Sequence, residues 1–407
     1  MERVDWHAVA ARFAFQPGLT WLNNGAAGSL PRTLQQMLST ALTEAAADPG
    51  RATLDASHQG PRAQVAALLG AAPGEIVLTE NTTMGLAMTL LGFPFEPGDE
   101  ILTTQHEHAS LCSPLSLLAQ RSSVKVVKLA LPSPPDTADE IVRLFQRAIT
   151  PRTRAMCFSH VTGATGLRMP VQELCRLARS YEIFTLVDGA QAAGMLELTL
   201  KDLGCDAWAG AGHKWLNGPA GTGILYLRDA RYNPWDLVPI LSEHAMHLGP
   251  AATIADALQR RARLDEPALA TLAAAADLQG SIGPHAIEER VLHLAHIVEQ
   301  RAVDLWGPGC LLSPWGRGSA QALSSGIKTF VPARDGTRAQ DQAWIHGLAD
   351  RLRHDFNIAV ATAIVPAQPH APGPAAHALR VSTGIYNFPD QIDLLFTALE
   401  QLTTRPH

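Results

Sequence analysis

The chain has 407 residues, more than one hydrophobic core usually serves, so two domains are expected. Its formal charge of −6 and the lack of any long basic run argue against nucleic acid or an anionic membrane as the main partner. Five cysteines (Cys112, Cys157, Cys175, Cys205, Cys310) form no CxxC pair and read as reduced thiols, and neither the charged start MERVDWHAVAARF nor any later stretch suits a signal peptide or a membrane span, so the expectation is a soluble cytoplasmic protein.

In chain order, the first strand candidates are EIVLT (75–79), EILTTQ (100–105) and VKVVKLAL (124–131). The helical pattern ADEIVRLFQRAI (138–149) comes next, then the strand RAMCFSHV (154–161). In VQELCRLARSYE (171–182), Val171, Leu174, Leu177 and Ala178 recur at helical spacing with charges opposite. Strands FTLVD (184–188) and GILYLR (223–228) complete the alternation. Near-continuous apolar strands alternating with helices predict a mostly parallel sheet covered on both faces, with ligands beyond its carboxyl edge. After about residue 250, two long helical patterns (264–281 and 286–305) lead into the Gly/Pro/Ser-rich 307–320. A strand at 326–332, a helix around 341–355, strands near 358–364 and 378–383, and a helix after Pro389 follow. This division implies a large domain over 16–250 and a smaller α/β domain made of 1–15 and 251–407.

Four clusters after strand candidates carry chemistry. ENTTMG (80–85) offers Thr82, Thr83 and backbone N–H groups at a helix start, suited to a phosphate, although Asn/Thr caps open many helices. HEHAS (106–110) offers His108, an imidazole able to stack on an aromatic cofactor; His-x-His also fits zinc, but no further ligands at suitable spacing accompany it, so no metal is expected. VDGAQAAG (187–194) puts Asp188 at a strand end, where a buried carboxylate needs a cationic partner such as a protonated pyridine nitrogen, with Gln191 able to bond a ring hydroxyl. DAWAGAGHKWLNGPAGTG (206–223) sets Lys214 among small residues where the chain must approach a ligand closely, and lysine is the side chain that condenses with carbonyl cofactors. Taken singly, each of these is more often an ordinary cap, turn or surface residue.

Together with WLNNGAAG (21–28), SHVTGATG (159–166) and LRVSTGIYN (379–387), these motifs stand in an order that resembles the class V aminotransferase family, fold-type I enzymes dependent on pyridoxal 5′-phosphate. The resemblance covers roughly 20–230 and 375–400 and is nearest to the isopenicillin-N epimerase-like and cysteine desulfurase-like members. It implies that Lys214 anchors the cofactor as an aldimine and shuttles the Cα proton of an α-amino acid. Asp188 then pairs with the ring nitrogen, Gln191 bonds the ring oxygen and His108 stacks on the ring. Thr83, the Thr82 backbone and His213 hold the phosphate, Arg380 grips the substrate carboxylate, and Asn24 and Gly25 line the substrate pocket. A homodimer is implied as well.

Departures from the family pattern narrow this reading. The stretch 361–377, where desulfurases carry their thiol, holds no cysteine; it presents Pro, Ala and His370, and Cys310 is distant. Ala211 and Gly163 stand where relatives often have Ser and Asn, and LDEPALATL (264–272) lacks the Gly-Thr pair by which a partner subunit often reaches the phosphate. Epimerisation or transamination is therefore favoured, with β-elimination or C–S cleavage as the alternative. A cofactor-binding protein without turnover is opposed by the retained Lys214, Asp188 and Arg380. A dinucleotide-binding enzyme is opposed by the missing GxGxxG. The loops 240–262 and 366–377 are expected to shape the substrate pocket, and they carry no readable motif.

Overall fold

A computed structural model describes residues 4–50, 58–132, 134–240, 252–261, 264–334, 337–338, 341–367 and 375–404. The chain opens with α1 (Trp6–Ala10), β1 (Thr20–Trp21), α2 (Arg32–Ala47) and α3 (Gln59–Leu69). The alternating region then runs β2 (Ile76–Thr79), α4 (Thr82–Gly92), β3 (Glu100–Thr104), α5 (Ala109–Arg121), β4 (Lys125–Leu129), α6 (Ala138–Ala148), β5 (Thr153–Ser159) and α7 (Val171–Ser180). It continues through β6 (Phe184–Asp188), α8 (Leu200–Leu203), β7 (Ala207–Ala211) and β8 (Gly223–Leu227). These strands form one seven-stranded sheet in the order β2-β8-β7-β6-β5-β3-β4, in which only β8 runs antiparallel to its neighbours.

Strands β5 to β8 are buried almost throughout, as the apolar runs predict for β5, β6 and β8, whereas β4 at the sheet edge exposes Lys125 and Lys128. Lysines on an edge strand oppose pairing with a further chain. Strand β7, AWAGA, is the one the residue pattern does not announce, since Ala and Gly have low strand propensity. Its small side chains serve packing instead. A Cβ on Gly85 of α4 would lie 3.0 Å from that of Ala209, so the helix rests almost directly on the strand.

The rest of the chain comprises α9 (Ile254–Gln259), α10 (Glu266–Ile282), α11 (Pro284–Trp306), β9 (Ile327–Phe330), β10 (Ala333–Arg334), β11 (Thr337–Arg338), α12 (Gln342–Phe356), β12 (Ile358–Ala359), β13 (Ala361–Val365), β14 (Ala376–Ser382) and α13 (Pro389–Thr404). A second, three-stranded antiparallel sheet runs β13-β14-β9. On α11, Ile287, Val291, Leu294, Val298 and Ala302 recur at helical spacing and are buried, the last three with Ile345, Leu352, Leu379 and Leu395 in the core of this smaller sheet.

Two boundaries differ from the expected division. The chain does not pass to the smaller sheet at residue 251: α9 packs on β2 and α10 on α2 and α3, because buried Ala268, Leu269, Leu272 and Ala276 give α10 a face for the large layer. Nor is the N-terminal contribution to the smaller sheet confined to 1–15. Strand β1 pairs in parallel with β12, and Asn23 bridges to Ser382.

Candidate active site

A cavity of about 750 Å³ opens at the carboxyl ends of β2, β3, β5, β6 and β7. Thr362, Ala363, Ile364, Pro366 and Arg380 close it from the smaller sheet. Thr82, Thr83, His108, Asp188, Gln191, His213, Lys214, Gly25 and Arg380 all border it, residues widely separated in sequence. Of the residues singled out from sequence, Asn24 is the one that does not.

Asp188, 3% exposed, ends β6 in the middle of the sheet. The glycine after it is dictated by packing, since a Cβ on Gly189 would fall 1.9 Å from the ring of Trp208, itself fully buried on β7. Asp188 Oδ1 accepts the Ala190 N–H at 2.9 Å. Burial raises its pKa, opposed by that N–H and by the proximity of Lys214 and His108. Lys214 lies in the turn after β7, its carbonyl accepting the Asn217 N–H at 3.1 Å, and its amine has no hydrogen-bond or ion-pair partner among the described residues. Burial lowers its pKa, Asp188 acts against that shift and Arg380 adds to it. A desolvated amine with no acceptor is the condition under which lysine loses its proton and becomes nucleophilic.

At the start of α4, the Asn81 side chain accepts the Met84 N–H at 2.9 Å. Thr82 Oγ1 and His213 Nδ1 are buried on the cavity wall without partners. Thr83 Oγ1 donates to Ser110 Oγ at 2.8 Å, and Ser110 Oγ lies 2.8 Å from His108 Nδ1. The Ser110 N–H also points at that nitrogen, at 3.1 Å. An Nδ1 that accepts leaves Nε2 as the protonated position of a neutral ring, in keeping with the lowering of the His108 pKa by burial and by Lys214.

Arg380, on β14, donates from Nη1 to Gly163 O at 2.9 Å and from Nη2 to Asn23 Oδ1 at 3.3 Å, while its Nε is buried without a partner. The Gln191 amide donates to Gly25 O at 2.9 Å and accepts from Trp215 Nε1 at 2.7 Å, so it is fixed before any ligand arrives. Asn24 is turned away from the cavity. Its Oδ1 accepts from the Tyr386 hydroxyl at 2.6 Å.

Sequence reasoning missed Ser110, which orients His108, and Glu107, whose carboxyl accepts hydroxyl hydrogen bonds from Thr104 and Ser159, each at 2.6 Å. Both residues lay inside a motif already singled out, but nothing local ranks them; their partners come from neighbouring strands and helices. Segments 241–251 and 368–374, including His370, lie outside the described residues. The described remainder of the loop 240–262 contributes no cavity residue. No cysteine borders the cavity, and Cys310 is buried in the core of the smaller sheet. Among the described residues no group of His, Cys, Asp and Glu could hold a metal ion, and no helix is long and apolar enough to cross a membrane.

A mostly parallel α/β sheet with a desolvated lysine and a buried aspartate at its carboxyl edge defines a carbonyl-cofactor enzyme of fold type I. The profile of the family described as aminotransferase class-V matches residues 20–395, and the chain belongs to that family of pyridoxal-phosphate enzymes. It is 31% identical to isopenicillin N epimerase of Streptomyces clavuligerus over 99% of this chain and 100% of that protein. It is 30% identical to a probable cysteine desulfurase of Pseudomonas aeruginosa over 98% and 97% of the two chains. Among solved structures, the cysteine desulfurase CsdA of Escherichia coli superposes with a TM-score of 0.80 at 23% identity, covering 98% of each chain, a likeness of fold.

Proposed function

We propose that this enzyme holds pyridoxal phosphate on Lys214 and removes the Cα proton of an α-amino acid, with epimerisation or amino-group transfer as the outcome. The observation that carries this reading is the unpartnered Lys214 amine, set in one cavity with the buried Asp188 carboxylate and the Arg380 guanidinium. The site's unsatisfied atoms fit the cofactor: Thr82 Oγ1 and His213 Nδ1 suit its phosphate, and Asp188 suits a protonated ring nitrogen. When bound, the cofactor supplies an electrophilic carbon for the substrate amine and a cationic ring that withdraws electrons.

The protein's own groups do the rest. Arg380 holds the substrate carboxylate through the N–H groups that Gly163 and Asn23 leave unspent. Lys214, kept short of acceptors, takes the Cα proton and returns it. His108, fixed by Ser110, would stack against the cofactor ring. The lack of any thiol on the wall argues against persulfide chemistry, and likeness to an epimerase over the whole chain supports return of the proton to carbon. A cytoplasmic homodimer belongs to the same proposal, supported by the family likeness and by five free cysteines.

Borohydride reduction followed by digestion should label the Lys214 peptide alone. Amino acids incubated in D2O should gain deuterium at Cα, with formation of the mirror-image amino acid or a keto acid separating the two outcomes. Release of the β-substituent with pyruvate would instead establish the β-lyase alternative. Label on another lysine would refute the assignment.

A further inference from the structure

Two carboxyls line the cavity, Asp188 and Glu107. Glu107 follows β3, and its two oxygens accept from Thr104 Oγ1 and Ser159 Oγ at 2.6 Å each. Thr104 is the last residue of β3 and Ser159 the last of β5, so one carboxyl ties two adjacent strand ends together. Ser159 is in turn the register partner of Asp188 on β6. The groups that act most on Glu107 are these two hydroxyls, the Ser159 backbone N–H and the like charge of Asp188; the thiols of Cys157 on β5 and Cys112 on α5 also feel its charge. Among the described residues no cation forms an ion pair with it, and none is among the larger influences on it. Asp188, by contrast, feels both Lys214 and His108.

Two like charges at neighbouring strand ends cannot both be carried cheaply, and the proton settles on the member whose charge Lys214 offsets less. We infer that Glu107 is a positioning residue of this site: it ties β3 to β5 beside Asp188 and carries the proton of the two carboxyls, so that Asp188 alone is ionised. The inference rests on the cofactor reading for its consequence but not for its existence. Burial first, and Asp188 after it, push the Glu107 pKa up to about 7 against the two hydroxyl hydrogen bonds. Near neutrality Glu107 would therefore release its proton to solvent. The added negative charge beside Asp188 would then raise the proton affinity of a ring nitrogen bound there and of Lys214.

Infrared titration of the full-length protein, with and without cofactor, tests this. Wild type should show one protonated-carboxyl band that bleaches around neutral pH, and Glu107→Gln should lack it. Ser159→Ala, which removes a hydrogen bond that favours the carboxylate, should move the midpoint upward, and it carries the test if the glutamine variant does not fold. In the loaded enzyme without substrate, the visible absorbance should show an inflection near the same pH that Glu107→Gln abolishes. The pH profile of kcat should flatten in that variant while KM holds. A band that is absent from wild type, unchanged in Glu107→Gln or unmoved in Ser159→Ala would overturn the inference. The titration without cofactor stands whether or not borohydride labels Lys214, so the failure of one reading is distinguishable from the failure of the other.

Discussion

Among the described residues two lysines are desolvated, Lys328 fully buried and Lys214 half-buried, and they are opposites. Lys328 on β9 is 1% exposed and spends its ammonium on Glu299 Oε2 at 2.6 Å, Pro314 O at 2.9 Å and Ser324 Oγ at 2.9 Å. Burial lowers its pKa, and Glu299 counters the shift both as a charge and as a hydrogen-bond acceptor. Lys214 undergoes the same desolvation with no acceptor, only the field of Asp188, and with Arg380 acting against its charge. Three satisfied N–H bonds hold an ammonium as a structural cation. An amine without them is free to lose its proton and react. The difference separates a tie within the smaller sheet from a reactive group at the edge of the large one.

The largest effects should come from exchanging these roles. Lys214→Ala should cut Cα deuterium exchange by about 10²–10⁴-fold, the usual range for a lost acid–base group, while leaving the fold intact. In the cofactor-free protein, the depressed pKa of Lys214 means the unfolded chain binds more protons in the window below lysine's unfolded value of about 10.4. Stability should therefore rise with pH through that window, and Lys214→Ala should remove the rise. Lys328→Met should do the reverse: activity per folded molecule persists, while denaturant unfolding shows a loss of about 3–5 kcal/mol because Glu299 is left buried and unpaired. A stable Lys328→Met protein, or a Lys214→Ala protein that unfolds readily, would break the comparison.

A smaller but still large effect is expected at Arg380, a half-buried cation whose bonds to Gly163 and Asn23 leave part of its fork unspent. Arg380→Ala should weaken every amino-acid ligand by about 2–5 kcal/mol, the cost of truncating one partner of a buried charge pair. Arg380→Lys should recover little, since an ammonium cannot make two parallel N–H bonds. Amines without a carboxylate should bind wild type poorly and lose almost nothing on mutation. Titration of both ligand types against the cofactor absorbance checks this; equal losses would place the carboxylate elsewhere.

What was legible in the sequence is what local pattern dictates. Asp188 ends an apolar strand, Lys214 sits in a Gly-rich turn, Thr82 and Thr83 open a helix, and each position follows from its immediate neighbours. Glu107 and Ser110 were not legible, because their partners depend on which strands and helices become neighbours. β3 lies beside β5, so Thr104 and Ser159 converge on one carboxyl, a fact no window around residue 107 contains. Strand β7 was illegible for another reason: its alanines and glycine answer to the Trp208 ring and to α4 rather than to strand propensity. With Asn24 the position was legible and the direction was not, since the Tyr386 hydroxyl that captures it lies 362 residues away.

The smallest effect expected is at the cysteines, and it sharpens the same contrast between reactive and merely enclosed groups. Cys112 is the one thiol that is not buried, yet it does not border the cavity, and its Sγ rests 3.7 Å from the Glu107 carbonyl oxygen. Burial, with Glu107 acting the same way, raises its pKa and Lys128 only partly offsets the shift, so it remains a thiol at neutral pH rather than the thiolate that sulfur transfer requires. Cys157, Cys175 and Cys205 are raised further by deeper burial. Cys112→Ala should therefore leave Cα exchange within about twofold of wild type, the scale of substitutions that touch no key feature. Incubation of wild type with cysteine should leave no persulfide on the protein, even where cysteine occupies the site as a slow ligand. Mass spectrometry of the intact chain reads both outcomes, and a persulfide on Cys112 that vanishes in Cys112→Ala would move this enzyme to the sulfur-transferring side of its family.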